Sequence, residues 1–149
     1  MDQSQWLTLL QKFDDYEAIK YPKDESGLTL IAQDFKRAHQ LLDERFALGF
    51  QCDVIQDASF HGYLRKVKDY DNWLSIRFSH FGRFIAVHGT PQSYVDSLPV
   101  AEIIQLLEDM NFVYVPMEIL ELPYEGPNNV GRIADDQPPQ WWDRYFSYA

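Results

Sequence analysis

WLSIRFSHFGRFIAVHG, residues 73–89, decides how this chain folds. Leu74, Ile76 and Phe78 alternate with Ser75, Arg77 and Ser79, the period of two of a strand with one buried face. Phe84, Ile85, Ala86 and Val87 supply a returning strand. His80-Phe81-Gly82 reads as a three-residue turn with Gly82 in the left-handed position. That turn pairs Ser79 with Arg83, which sets Phe78 opposite Phe84, Ile76 opposite Ala86 and Leu74 opposite His88. The reverse face then carries Trp73, Ser75, Arg77, Ile85 and Val87, and is too apolar to be left to solvent.

Working outward from the hairpin, Phe50, Cys52 and Val54 alternate as one strand and Ala58, Phe60, Gly62 and Leu64 as another. Lys68-Asp69-Tyr70-Asp71-Asn72 is a polar link into the hairpin, so four strands form an antiparallel meander. Upstream, Trp6, Leu9, Leu10 and Phe13 give an amphipathic helix over about residues 4–17, with Ser4 as cap. A second helix follows from the spacing of Leu28, Ile31, Phe35, Ala38, Leu42 and Phe46, and Gly49 stops it. Downstream, residues 90–98 read as a loop. A helix starting at Ser97 and Pro99 carries Val100, Ile103, Ile104, Leu107 and Met110 on one face, and residues 112–115 are a fifth strand. The pattern is an α+β fold in a single domain of residues 1–149. It has an antiparallel sheet of four to five strands, with the two N-terminal helices and one later helix packed on it.

A domain of 149 residues buries roughly 70% of its unfolded surface, enough for one substantial core. The single cysteine, Cys52, excludes an intramolecular disulfide framework and suits a reducing compartment. No signal-peptide pattern opens the chain, and no apolar run approaches membrane-spanning length, so the expected location is cytoplasmic. Thirteen Lys and Arg against 23 Asp and Glu leave a net charge of −10. Residues 101–149 hold nine of the acids and two of the bases, and no lysine follows Lys68. Direct nucleic-acid binding is disfavoured, because a phosphate backbone needs a basic footprint. A basic partner protein is steered towards such a surface, whereas an acidic balance kept for solubility alone needs no partner.

Catalytic chemistry leaves no signature. His39, His61, His80 and His88 show no metal-ligand spacing, although His61 and His88 fall in or near neighbouring predicted strands. Cys52 occupies an apolar strand position, where a structural thiol is the default. Neither a GxSxG elbow nor a glycine-rich phosphate loop occurs, and no cofactor is implied. What remains is surface. Glu118, Glu121, Glu125, Asp135, Asp136 and Asp143 share a turn-rich region with Tyr124, Trp141 and Trp142. Acids beside rigid aromatics suit a landing site for a basic partner, with Tyr124, Trp141 and Trp142 as anchors. The competing reading is that these rings close the core and the acids merely flank them. Residues 141–148, WWDRYFSY, are also the one internal candidate to cover the reverse face of the hairpin.

In small size, acidity, the IRFSHFGRF hairpin and the WWDRYFSY end, the chain resembles immunity proteins of bacterial polymorphic-toxin and contact-dependent inhibition systems. The resemblance is one of general character along the whole chain. It implies a non-enzymatic protein that binds a cognate toxin domain, many of which are nucleases with basic clefts, and blocks its active site. Two other classes fit the same sequence. One is a small-molecule-binding domain or enzyme with a pocket between sheet and helices; the other is a structural or regulatory subunit that dimerises through the Trp73/Arg77 face.

Overall fold

A computed structural model describes residues 1–14, 25–56, 60–79, 83–126 and 138–146. Five strands form one sheet in chain order: β1 (Gln51–Gln56), β2 (Phe60–Asp69), β3 (Asn72–Phe78), β4 (Phe84–Thr90) and β5 (Val113–Tyr114). The first four make the expected antiparallel meander, while β5 joins β4 in parallel, so the sheet is mixed. The connection dictates that direction. Helices α3 (Gln92–Asp96) and α4 (Val100–Asp109) carry the chain back to the starting end of β4 before β5 begins. The short α3 lies inside the stretch expected to be loop. It packs so closely that a Cβ on Gly89 would lie 2.8 Å from Val95 Cγ2.

The hairpin departs from expectation by one residue. Phe78 opposes Ile85, Ile76 opposes Val87 and Ser75 opposes His88. Ser79 N donates to Phe84 O at 3.0 Å, and Phe84 N donates to Ser79 Oγ at 3.2 Å. Four residues, 80–83, therefore separate the closing pair; His80, Phe81 and Gly82 lie outside the described residues. Arg83 turns its main-chain carbonyl to β5, accepting from Val113 N at 2.7 Å, and its guanidinium to the helices. It donates to Met110 O and Asn111 O at the end of α4 and to Asp34 Oδ2 on the helix α2 (Glu25–Phe46). A slip of one residue turns every side chain of a strand to the opposite face. Ile85 and Val87 thus join Leu74, Ile76 and Phe78, while Phe84, Ala86 and His88 go to the reverse face.

Both faces are covered by helices. On the first, Ile31, Phe35, Ala38 and Leu42 of α2 and Ile103, Leu106 and Leu107 of α4 pack over Leu64, Leu74, Ile76, Phe78, Ile85 and Val87. Phe78 meets Phe35 and Phe112 edge-on at 4.9 and 5.1 Å, contacts worth about 0.5–1.5 kcal/mol each beyond their buried area. On the reverse face, Phe84 and Ala86 lie under α1 (Gln3–Phe13), α5 (Met117–Leu120) and α6 (Trp141–Tyr145). The two N-terminal helices therefore do not share a surface. The slipped register gives the reverse face an apolar patch of its own, and the Leu10 stripe of α1 is what it takes. Asp2, not Ser4, caps α1, accepting from Gln5 N at 2.8 Å while Gln5 Oε1 accepts from Asp2 N at 2.9 Å. Among the described residues no helix is long and apolar enough to cross a membrane.

Candidate functional site

The aromatic residues proposed from sequence as partner anchors divide between core and surface. Trp141 is 1% exposed and Tyr124 is buried against it at 4.8 Å, edge to face. Both belong to the core of the reverse face and present no ring to a partner. Trp142 is half-buried, while Glu121 and Glu125 are exposed. Asp143 is half-buried and accepts from Gln140 N at 2.8 Å, capping α6. Asp135 and Asp136 lie outside the described residues. His61 sits on β2 and His88 on β4, with β3 between them, so the two histidines are not on neighbouring strands. Among the described residues no three His, Cys, Asp or Glu side chains gather as a metal site.

A polar knot at the core of the reverse face explains why Tyr124 is spent internally. Asp14 Oδ1 accepts from Arg144 Nε at 2.6 Å, and its Oδ2 accepts from the Tyr124 hydroxyl at 2.6 Å. Both charged side chains are almost fully withdrawn from water. Tyr145 adds a bond from its hydroxyl to Leu10 O at 2.6 Å. A Cβ on Gly126 would collide with the Tyr124 ring and the Asp14 carboxylate, so only glycine lets the chain pass there. The knot joins the end of α1, the segment after α5 and α6, three regions far apart in sequence.

Beside it, the tail covers the hairpin as the sequence suggested, through Trp142. The Arg77 guanidinium lies over the Trp142 and Tyr63 rings at 5.5 and 5.3 Å. His88 stands edge-on between Trp73 and Trp142, each ring 5.2 Å away. Burial, then the positive charges of Arg77 and Arg65, lower the His88 pKa to about 4, so the imidazole is neutral at pH 7. This part of the face is a structural ladder of rings and cations.

The surface that stands out instead is one end of the sheet, where β4 and β5 finish and β2 turns into β3. Between Arg83 and Arg132 the chain has no lysine or arginine and seven acids. All seven (Asp96, Glu102, Glu108, Asp109, Glu118, Glu121 and Glu125) are exposed. The parallel β4–β5 crossover brings three of them together: Asp96 ends α3, Glu102 opens α4 and Glu118 opens α5. They rim a groove of about 590 Å³ whose floor includes Val95, Leu98, Tyr114 and Met117. Burial and then the Glu118 charge raise the Tyr114 pKa, so its phenol stays neutral and offers a hydroxyl. Around Thr90 and Pro91 a second hollow, of about 710 Å³, adjoins the β2–β3 turn and is lined by Asp69, Tyr70, Asp71 and Trp73, with Arg65 as its one arginine.

Asp69, Asp71, Asp96 and Glu102 were not among the residues singled out from sequence. Each is unremarkable alone; for Asp96 and Glu102 the readable signal is the 48-residue absence of lysine and arginine from 84 to 131, and for Asp69 and Asp71, which follow Lys66 and Lys68, there is none. Three exposed carboxylates around an apolar floor suit a cationic side chain or a basic loop. Exposed ion pairs contribute only about 0.2–1 kcal/mol each, whereas a one-sign field raises association rates by about 10–10³. Carboxylates so exposed form weak ion pairs, and the apolar floor beside them is the larger source of contact energy the groove can offer. Comparison of the chain with family models, with curated proteins and with solved structures gives no match.

Proposed function

We propose that this protein is a non-enzymatic binding protein whose acidic end docks on a basic partner protein, in keeping with the resemblance to immunity proteins that neutralise a toxin domain. The observation that carries the reading is the groove between α3, α4 and α5, rimmed by Asp96, Glu102 and Glu118 with no lysine or arginine among its lining residues. Its apolar floor supplies burial, worth about 25 cal/mol per Å² removed from water, and its rim supplies steering. Exposed Glu121 and Glu125 extend the same negative field along the segment after α5. The lone Cys52 is consistent with action in a reducing compartment such as the cytoplasm.

The test begins with the gene immediately upstream, whose C-terminal domain is the natural probe if the two form a toxin–immunity pair. Purified domain and purified chain should associate at low salt and protect cells that express the domain. The Asp96→Asn/Glu102→Gln/Glu118→Gln triple variant should bind more slowly without loss of stability. Equal association by the triple variant at low salt would remove the groove from the interface.

A further inference from the structure

Steering by carboxylates leaves open what holds the partner, and the β2–β3 turn supplies an answer. Tyr70 is 94% exposed, the most exposed large hydrophobic side chain among the described residues, and Val67 behind it is 39% exposed. A two-residue hairpin turn favours Asn, Asp and Gly, so a tyrosine there gains nothing for the turn itself. The tip is nonetheless rigidly built. Asp69 Oδ1 accepts from Asp71 N at 3.0 Å and from Asn72 Nδ2 at 2.7 Å, closing the turn beneath the ring. The half-buried Trp73 and the Arg65 guanidinium line the hollow at its base. Tyrosine, tryptophan and arginine are the residue types that dominate interface energetics, and a tyrosine ring has few rotamers to lose on burial.

We infer that Tyr70 is the anchor of the interface: it enters an apolar pocket of the partner protein whose rim carries lysine or arginine to meet Asp69 and Asp71. Asp69 and Asp71 precede and follow Tyr70, and with Lys68 beside Asp69 the tip carries a net charge of −1 over residues 68–72, which favours cations at the pocket rim. This rests on the basic-partner reading above and adds which part of the chain is buried and what receives it.

The experiment places p-benzoylphenylalanine at position 70 of the full chain, and in a second protein at Glu108, which lies at the opposite end of α4. Both are expressed in the native cells and irradiated. Position 70 should cross-link to one protein, identified by mass spectrometry as basic, and position 108 should not. With that protein purified, Tyr70→Ala should weaken binding by about tenfold or more and Tyr70→Phe by less than about threefold, with unchanged unfolding midpoints. Equal cross-linking at both positions, no cross-link at 70, or wild-type affinity in Tyr70→Ala overturns the anchor. If binding stays salt-sensitive and the groove triple variant weakens it while Tyr70→Ala does not, the basic-partner reading stands and only the anchor fails. If neither variant matters, both fall.

Discussion

At the residue scale, two buried polar groups make the sharpest claims. Arg144 is shut away with Asp14 as its counter-charge, so Asp14→Asn leaves a buried cation facing a neutral amide. Breaking one side of such a pair costs about 3–5 kcal/mol, read as a fall in the urea midpoint, whereas Asp14→Leu with Arg144→Met costs less than the single change. Neither residue was legible in sequence: the chain has 23 acids, and nothing local marks one of them as internal. His88 makes a pH-dependent claim. Its folded pKa of about 4 lies below the ordinary 6.5, so in that window the unfolded chain binds the extra proton. Its contribution is whole above pH 6.5 and is lost as pH falls to about 4, on the order of 3 kcal/mol in total. His88→Gln should flatten the stability profile between those limits relative to wild type. Identical slopes in the two proteins would mean that His88 is not desolvated.

At the element scale, strand identities were readable from alternation, and turn length was not. The same apolar run, Phe84 to Val87, fits either face of β4, and the observed register is the one in which Ser79 receives the Phe84 amide on its hydroxyl and Arg83 O takes the Val113 amide. That register also explains why α1 crosses to the reverse face, since it is Phe84 and Ala86 that α1 helps to cover. The register has a direct test. In a Cys52→Ser background, Ile76→Cys with Val87→Cys places two thiols on directly opposed residues, within disulfide range of about 4.4–6.8 Å between Cα atoms. Mild oxidation should close that bridge, and Ile76→Cys with Ala86→Cys, on opposite faces, should remain reduced. The reverse outcome would restore the three-residue turn. Short α3 and α5 escaped the sequence because four or five residues are too few for a helical period to show.

At the scale of the whole molecule, the acidity was visible in the sequence and its location was not. Counting charges by thirds pointed to the C-terminal segment, yet the groove gathers Asp96, Glu102 and Glu118 only because β5 runs parallel to β4 and returns both helix starts to one end. Conversely, Tyr124 and Trp141, which the sequence left between partner anchor and core, are drawn into the core by Asp14 and by the apolar patch on β4. The acidic end is thus proposed to steer a basic partner. The measurement that tests it most directly is the association rate with the protein captured at position 70, for wild type and the groove triple variant, between about 20 mM and 0.5 M salt. Wild type should slow by about tenfold or more as salt rises, while the triple variant starts slower and converges with it at high salt. A wild-type rate indifferent to salt, or a triple variant indistinguishable from wild type at low salt, would contradict it.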